Sequence, residues 1–167
     1  MDSSKKPDLL ALATILASSG TPYAVIGGVA LQIHQAEPRT TLDIDLAAYD
    51  VTALPNATLV AEGFAKTGEF PHSLSWTGPG GTPIQFSDDP AFGEAIDRSG
   101  ISMIEGTPLR VAAPFDLLRA KLRAARDPAR RRSKRIQDLA DAVSLVESQP
   151  DLVAGLTPVE RSELDRA

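Results

Sequence analysis

Cysteine is absent from the 167-residue sequence, and histidine occurs only twice. Neither a disulfide framework nor a thiolate zinc site is available, and two imidazoles are too few for a histidine-built metal cage. A metal bound here must be held by oxygen, which favours the hard cations magnesium or manganese over zinc or copper. Long apolar runs are missing as well. No stretch has the length of a membrane span, and the opening residues Met1-Asp2-Ser3-Ser4-Lys5-Lys6-Pro7-Asp8 lack the layout of a signal peptide. A cytoplasmic protein without a membrane partner is expected.

What is present is 43% hydrophobic and 23% charged residues, enough to bury a working core in a single domain, 1–167. The formal net charge of −5 hides an asymmetry, because the segment bounded by Arg119 and Arg135 holds nine Lys or Arg against one acid, Asp127. Such a segment is either a solvated helix face or a surface for polyanions.

Leu9, Leu12, Ala13 and Leu16 recur at helical spacing and predict a helix over 8–19, stopped by Gly20 and Thr21-Pro22. Residues 23–26 read as a short buried strand that runs into Gly27-Gly28, where the chain can turn sharply into a helix over 29–35 closed by Glu37-Pro38. Residues 42–47 alternate apolar and acidic side chains in the two-residue period of a half-buried strand, with Leu42, Ile44 and Leu46 toward the core. A helix over 54–66, a mobile Gly- and Pro-rich loop over 78–83 and a strand over 84–87 follow. Asp89 and Pro90 mark the start of a helix through Ile96, and two strands over 101–112 surround a turn at Glu105-Gly106-Thr107-Pro108. The remaining helices are predicted over 114–126, from a cap at Asp127 with Pro128 to about 147, and over 158–165. The class is α+β: a small mixed β-sheet flanked by helices in 1–112, then a C-terminal helical segment, 113–167.

Chemistry concentrates at Gly27-Gly28, Arg39-Thr40-Thr41 and Asp43-Ile44-Asp45, set as strand, turn, helix, link and strand. On a strand Asp43 and Asp45 project together, with Cα atoms roughly 6.6 Å apart at about 3.3 Å of rise per residue. Two convergent carboxylates can bridge magnesium ions that hold a triphosphate and an attacking hydroxyl. A Gly-Gly turn keeps no side chain in the way of phosphates, and the following helix N-terminus offers unpaired N–H groups to the same anion. Taken singly, Gly-Gly is most often a turn and Asp-x-Asp the solvent face of an edge strand.

At these residues the sequence resembles the nucleotidyltransferase superfamily that includes DNA polymerase beta, and within it the AbiEii/AbiGii toxin-like proteins. Two features of that group fall in the closing helices: Lys121 in the first, and the acidic pair Asp138 and Asp141 in the second. The resemblance implies a nucleotidyltransferase fold and Mg2+- or Mn2+-dependent transfer of a nucleoside monophosphate from an NTP to a hydroxyl. Asp43 and Asp45 would be metal ligands and catalytic, Lys121 and Asp138 catalytic, and Gly27, Gly28, Arg39 and Thr40 nucleotide-binding. It also implies a toxin component with an antitoxin partner, and RNA, bound through residues 119–135, or protein as acceptor. An aminoglycoside-type acceptor and a domain that has lost transfer chemistry are the alternatives.

Several residues carry two readings. Without the resemblance, Lys121 is a solvated lysine beside the stripe Phe115, Leu118 and Leu122. Asp138 is either a helix partner of Lys134, four residues earlier, or the group that orients Lys121. His34 reads as a partly buried helix residue and Trp76 as core or loop packing. Many superfamily members carry a third carboxylate on a later strand, where this chain has Gln85, an amide that cannot act as a base. Asp88 has the wrong parity to replace it, and Asp89 serves as a cap.

Overall fold

A computed structural model describes residues 4–35 and 39–167. Helix α1 (Lys6–Ser18) buries Leu9, Leu12, Ala13 and Leu16 on one face and ends where Gly20 takes φ +68°. The Thr21 N–H donates to the Leu16 carbonyl at 3.0 Å and the Gly20 N–H to Ala17 at 3.1 Å, the bond pair of a glycine-terminated helix. Strand β1 (Tyr23–Ile26), buried throughout, passes directly into α2 (Gly27–His34). The stop expected at Glu37-Pro38 lies outside the described residues.

Strand β2 (Ile44–Ala48) pairs antiparallel with β1, and β5 (Pro83–Ser87) lies parallel on its other side. On one flank β4 (Ser73–Thr77) and β3 (Ala65–Phe70) form a hairpin; on the other, β7 (Thr107–Val111) runs parallel to β1 and carries β6 (Gly100–Ile104). The sheet order is β3-β4-β5-β2-β1-β7-β6, a mixed seven-stranded sheet that places β1 and β2 in its interior, as the α+β reading requires. Trp76 on β4 is a core residue, 2% exposed.

The middle of the chain differs from expectation. The helix predicted over 54–66 is the shorter α3 (Asn56–Ala61): Gly63 adopts φ +90°, the Phe64 N–H closes onto Leu59 at 2.9 Å, and the buried Phe64 ring turns the chain into β3. Asp89 and Pro90 do cap, but they open a 3₁₀ turn (Pro90–Phe92) that precedes α4 (Gly93–Asp97). The loop over 78–83 is anchored rather than mobile. The buried Asp8 carboxylate accepts the Gly80 N–H at 3.0 Å and the Thr82 N–H at 3.2 Å, and a β-carbon on Gly78 would collide with it.

Helix α5 (Pro114–Arg126) forms as predicted and packs against α2. Its successor α6 (Arg132–Ser148) begins four residues later than expected, with its cap at Arg131 in place of Asp127. Asp127 ends α5 instead, accepting the Ala129 N–H at 2.9 Å in a local turn. A 3₁₀ segment (Pro150–Gly155) leads to α7 (Pro158–Leu164), whose Thr157–Glu160 capping box fixes its start. Among the described residues no helix is long and apolar enough to cross a membrane.

Candidate active site

The site is assembled by strand register. Pairing of β2 with β1 sets Asp45 opposite Ile26, so the next residue, Gly27, lies against the Asp45 side chain. Gly27 has φ +64°, and a β-carbon there would come within 2.6 Å of Asp45 Oδ2. One on Gly28 would lie 2.8 Å from Thr41 Oγ1. Both glycines are therefore required by close approach, and the N-terminus of α2, which has no side-chain cap, keeps its backbone N–H groups available to a ligand.

Asp45 is half-buried, whereas Asp43 precedes the paired part of β2 and is exposed. The alternation does not extend to Leu42, which is 77% exposed rather than in the core, because pairing starts only at Ile44. Burial, then the neighbouring Asp43 charge, pushes the Asp45 carboxyl up to about 6, against the opposing pull of Lys121, Arg130 and Arg39. On the other side of β2, Gln85 stands opposite Asp45 and donates from Nε2 to Ser73 Oγ at 2.8 Å. Asp88 is engaged elsewhere, accepting the Val51 N–H at 3.0 Å and facing His72 Nδ1 at 2.9 Å.

The facing wall comes from α5 and α6. Lys121 Nζ lies 3.0 Å from Asp138 and 2.8 Å from Asp141, two acids that are almost fully buried. Asp138 also takes Arg130 at 2.5 Å, so its partners are Lys121 and Arg130 rather than Lys134. Asp141 receives Arg39 through Nε at 2.6 Å and Nη2 at 2.8 Å. Burial alone would raise the Asp141 carboxyl, yet the Arg39 hydrogen bond and the Lys121 charge outweigh it and hold it below its ordinary value. The result is a chain of alternating charges, Arg130–Asp138–Lys121–Asp141–Arg39, along one side of the cleft.

Gly27, Gly28, Arg39, Thr40, Asp43, Asp45, Lys121 and Asp138, every site residue expected from sequence, line one recess of about 510 Å³. Thr41, Leu42, Gln85, Arg130, Lys134 and Gln137 complete it. His34 stays outside and donates from Nε2 to the Ala112 carbonyl at 2.8 Å, as a partly buried helix residue. Arg130, in sequence only one of the nine cations of 119–135, and Asp141, to which no partner was assigned, also belong to this wall; a buried acid pair three apart on one helix is the signal that calls for cations. Among the described residues no three His, Cys, Asp or Glu side chains are grouped to hold a metal alone. Two carboxylates do fit an Mg2+ that completes its coordination with phosphate and water.

No protein-family model and no curated protein matches the chain. Solved structures do. The antigenic nucleotidyltransferase-like protein from Paracoccidioides brasiliensis superposes with a TM-score of 0.64 at 22% identity, over 99% of this chain and 87% of that one. The antibiotic-resistance factor ANT(2'')-Ia gives 0.67 at 15% identity, over 99% and 94%. The lincosamide antibiotic adenylyltransferase LnuA gives 0.61 at 11%, over 86% and 98%. The mixed sheet, with its Gly-Gly turn and paired aspartates, is therefore a nucleotidyltransferase fold.

Proposed function

We propose that the chain is an Mg2+- or Mn2+-dependent nucleotidyltransferase that moves a nucleoside monophosphate from an NTP to a hydroxyl of RNA or protein. The observation that supports this most is the apposition of Gly27 and Asp45, which brings a carboxylate pair to the uncapped N-terminus of α2 with Lys121 across the cleft. In this reading Gly27, Gly28, Arg39 and Thr40 receive the triphosphate. Asp43 and Asp45 hold the divalent ion, whose charge when bound neutralises the phosphates and aligns the attacking and leaving oxygens. Lys121, held in place by Asp138 and Asp141, reaches toward the same phosphates.

ANT(2'')-Ia is named as an antibiotic-resistance factor and LnuA as a lincosamide antibiotic adenylyltransferase. An aminoglycoside is a polycation, and the recess here sets Arg39, Lys121, Arg130 and Lys134 against Asp43, Asp45 and Asp138, a lining that is net positive by one charge. That favours a polyanionic acceptor, and the resemblance to toxin-like proteins suggests the toxin of a two-gene system with an antitoxin as partner. Gln85, opposite Asp45, supports a second reading, a nucleotide-binding domain without transfer. Incubation with each α-labelled NTP, Mg2+ and total RNA or lysate tests the proposal: label is expected on RNA or protein, and tight NTP binding with no labelled product would favour the second reading.

A further inference from the structure

The two edges of the sheet are built differently. At one, β3 carries Lys66 and Glu69 as an ion pair at 3.1 Å, and its pairing with β4 slips between Lys66 and Gly68. Charge and a bulge are devices that keep an edge strand from pairing with another chain. At the other, β6 has neither. Gly100-Ile101-Ser102-Met103-Ile104 holds no charge and no proline, its ladder with β7 is regular, and among the described residues no strand lies on its other side. Ile101 is 54% exposed and Met103 62%, and their neighbours across β7, Arg110 and Pro108, are exposed on the same face.

The backbone of the same two residues faces outward. Ala112 donates its N–H to the Val25 carbonyl at 3.0 Å and Arg110 donates its own to the Tyr23 hydroxyl at 3.1 Å, so these residues turn toward β1. By alternation Leu109 and Val111 turn toward β6, where Ser102 and Gly100 stand opposite them. The N–H and C=O groups of Ile101 and Met103 are thereby directed away from the sheet.

We propose that β6 pairs antiparallel with β6 of a second copy of this chain, about a twofold axis at Ser102, and joins the two sheets into one. Only a centre at Ser102 pairs both outward-facing residues at once. Ile101 then stands opposite Met103 of the second copy and Met103 opposite its Ile101, each pair exchanging both backbone bonds. A centre at Ile101 or Met103 would set just that one residue against its own copy. The four apolar side chains cover one another on a single face, which is the self-complementarity an isologous dimer requires, and an uncharged strand brings no like charges together across the axis. The contact is small, so association falls in the micromolar range.

Sedimentation velocity of the full chain from about 1 to about 300 µM tests this, with a shift from monomer to dimer expected across that range. Ile101→Glu and Met103→Lys, both at exposed positions, should each keep the circular-dichroism spectrum of the parent and weaken association about tenfold or more. An equimolar mixture of the two variants should recover the dimer, because the new carboxylate of one copy faces the new ammonium of the other while the unaltered Met103 and Ile101 remain paired. Phe70→Glu, on the opposite edge, should change nothing. A monomer at every concentration, association unaltered in folded Ile101→Glu and Met103→Lys, or a mixture no tighter than either variant alone would each overturn the assignment; the first would leave this edge to a strand of a different protein.

Discussion

Gly27 and Asp45 leave no space for one another's enlargement: Oδ2 of Asp45 occupies the position 2.6 Å from where a Gly27 β-carbon would stand. Gly27→Ala therefore has to move the carboxylate as well as bear the cost of φ +64°, about 1–2 kcal/mol for a residue with a β-carbon. Gly20 provides the control, since its φ is +68° but a β-carbon there meets nothing within 4 Å. Both alanine variants should lose a few degrees of Tm. Only Gly27→Ala should also lose the NTP- and Mg2+-induced thermal shift, and retention of that shift would separate the glycine from the nucleotide site.

The contrast shows which parts of the site sequence can disclose. Gly27-Gly28 and Asp43/Asp45 are contiguous motifs whose spacing has direct geometric meaning; the glycine turn and Asp45 fall where expected, whereas Asp43 lies just before the strand. The Asp8 carboxylate that pins Gly80 is 72 residues away from it, and no local pattern announces such a bond. The β3–β4 hairpin went unread because β3 is exposed along nearly its whole length and shows no alternation. Leu42 misled for the opposite reason: it fits the alternation, but the ladder that would bury it begins two residues later. Arg130 became legible only through its partner, since a charge run on a sequence does not say which member turns inward.

Asp45 gives a pH dependence with a definite sign. Its folded-state carboxyl is raised from 3.8 to about 6, so the folded chain holds the proton more tightly than the unfolded chain does. On this group alone, stability is fully present below about pH 4 and is lost as pH rises through about 6. Asp45→Asn removes that loss. Without metal or nucleotide it should be more stable than the parent at pH 7.5, by roughly 3 kcal/mol at most, and no different near pH 4. Urea unfolding at the two pH values measures this. An equal difference at both would mean that Asp45 does not titrate in this range.

Gln85 decides how transfer obtains its base. It stands in register with Asp45 on the neighbouring parallel strand, and its amide donates to the exposed Ser73 hydroxyl, so a carboxylate would fit there without breaking a buried network. Gln85→Asp is expected to increase label transfer at unchanged NTP affinity, because it adds an acid beside the carboxylate pair. A single-turnover assay with saturating NTP reads this directly. A neutral or harmful effect would indicate that the acceptor proton leaves by another route.

The nine cations between Arg119 and Arg135 do not share one task. Arg119 donates from Nε to Glu160 at 2.7 Å and lies over Phe115, 5.8 Å from the ring centre, which joins α5 to α7. Burial would raise the Glu160 carboxyl, yet the Thr157 N–H and Arg119 hold it below its ordinary value. Arg130 belongs to the cleft through Asp138, so replacing it would disturb the nucleotide side as well. Arg131 and Arg132, by contrast, are exposed at the start of α6. Arg119→Ser should therefore lower stability, by about 1–3 kcal/mol for leaving a buried acid without its cation, with no change in the salt slope of RNA binding. Arg131→Ser with Arg132→Ser should leave stability within about 0.5 kcal/mol and reduce that slope by up to about 1.4. Chemical unfolding and RNA titrations at several salt concentrations distinguish the two, and a slope lowered equally by both sets would make Arg119 part of the RNA surface.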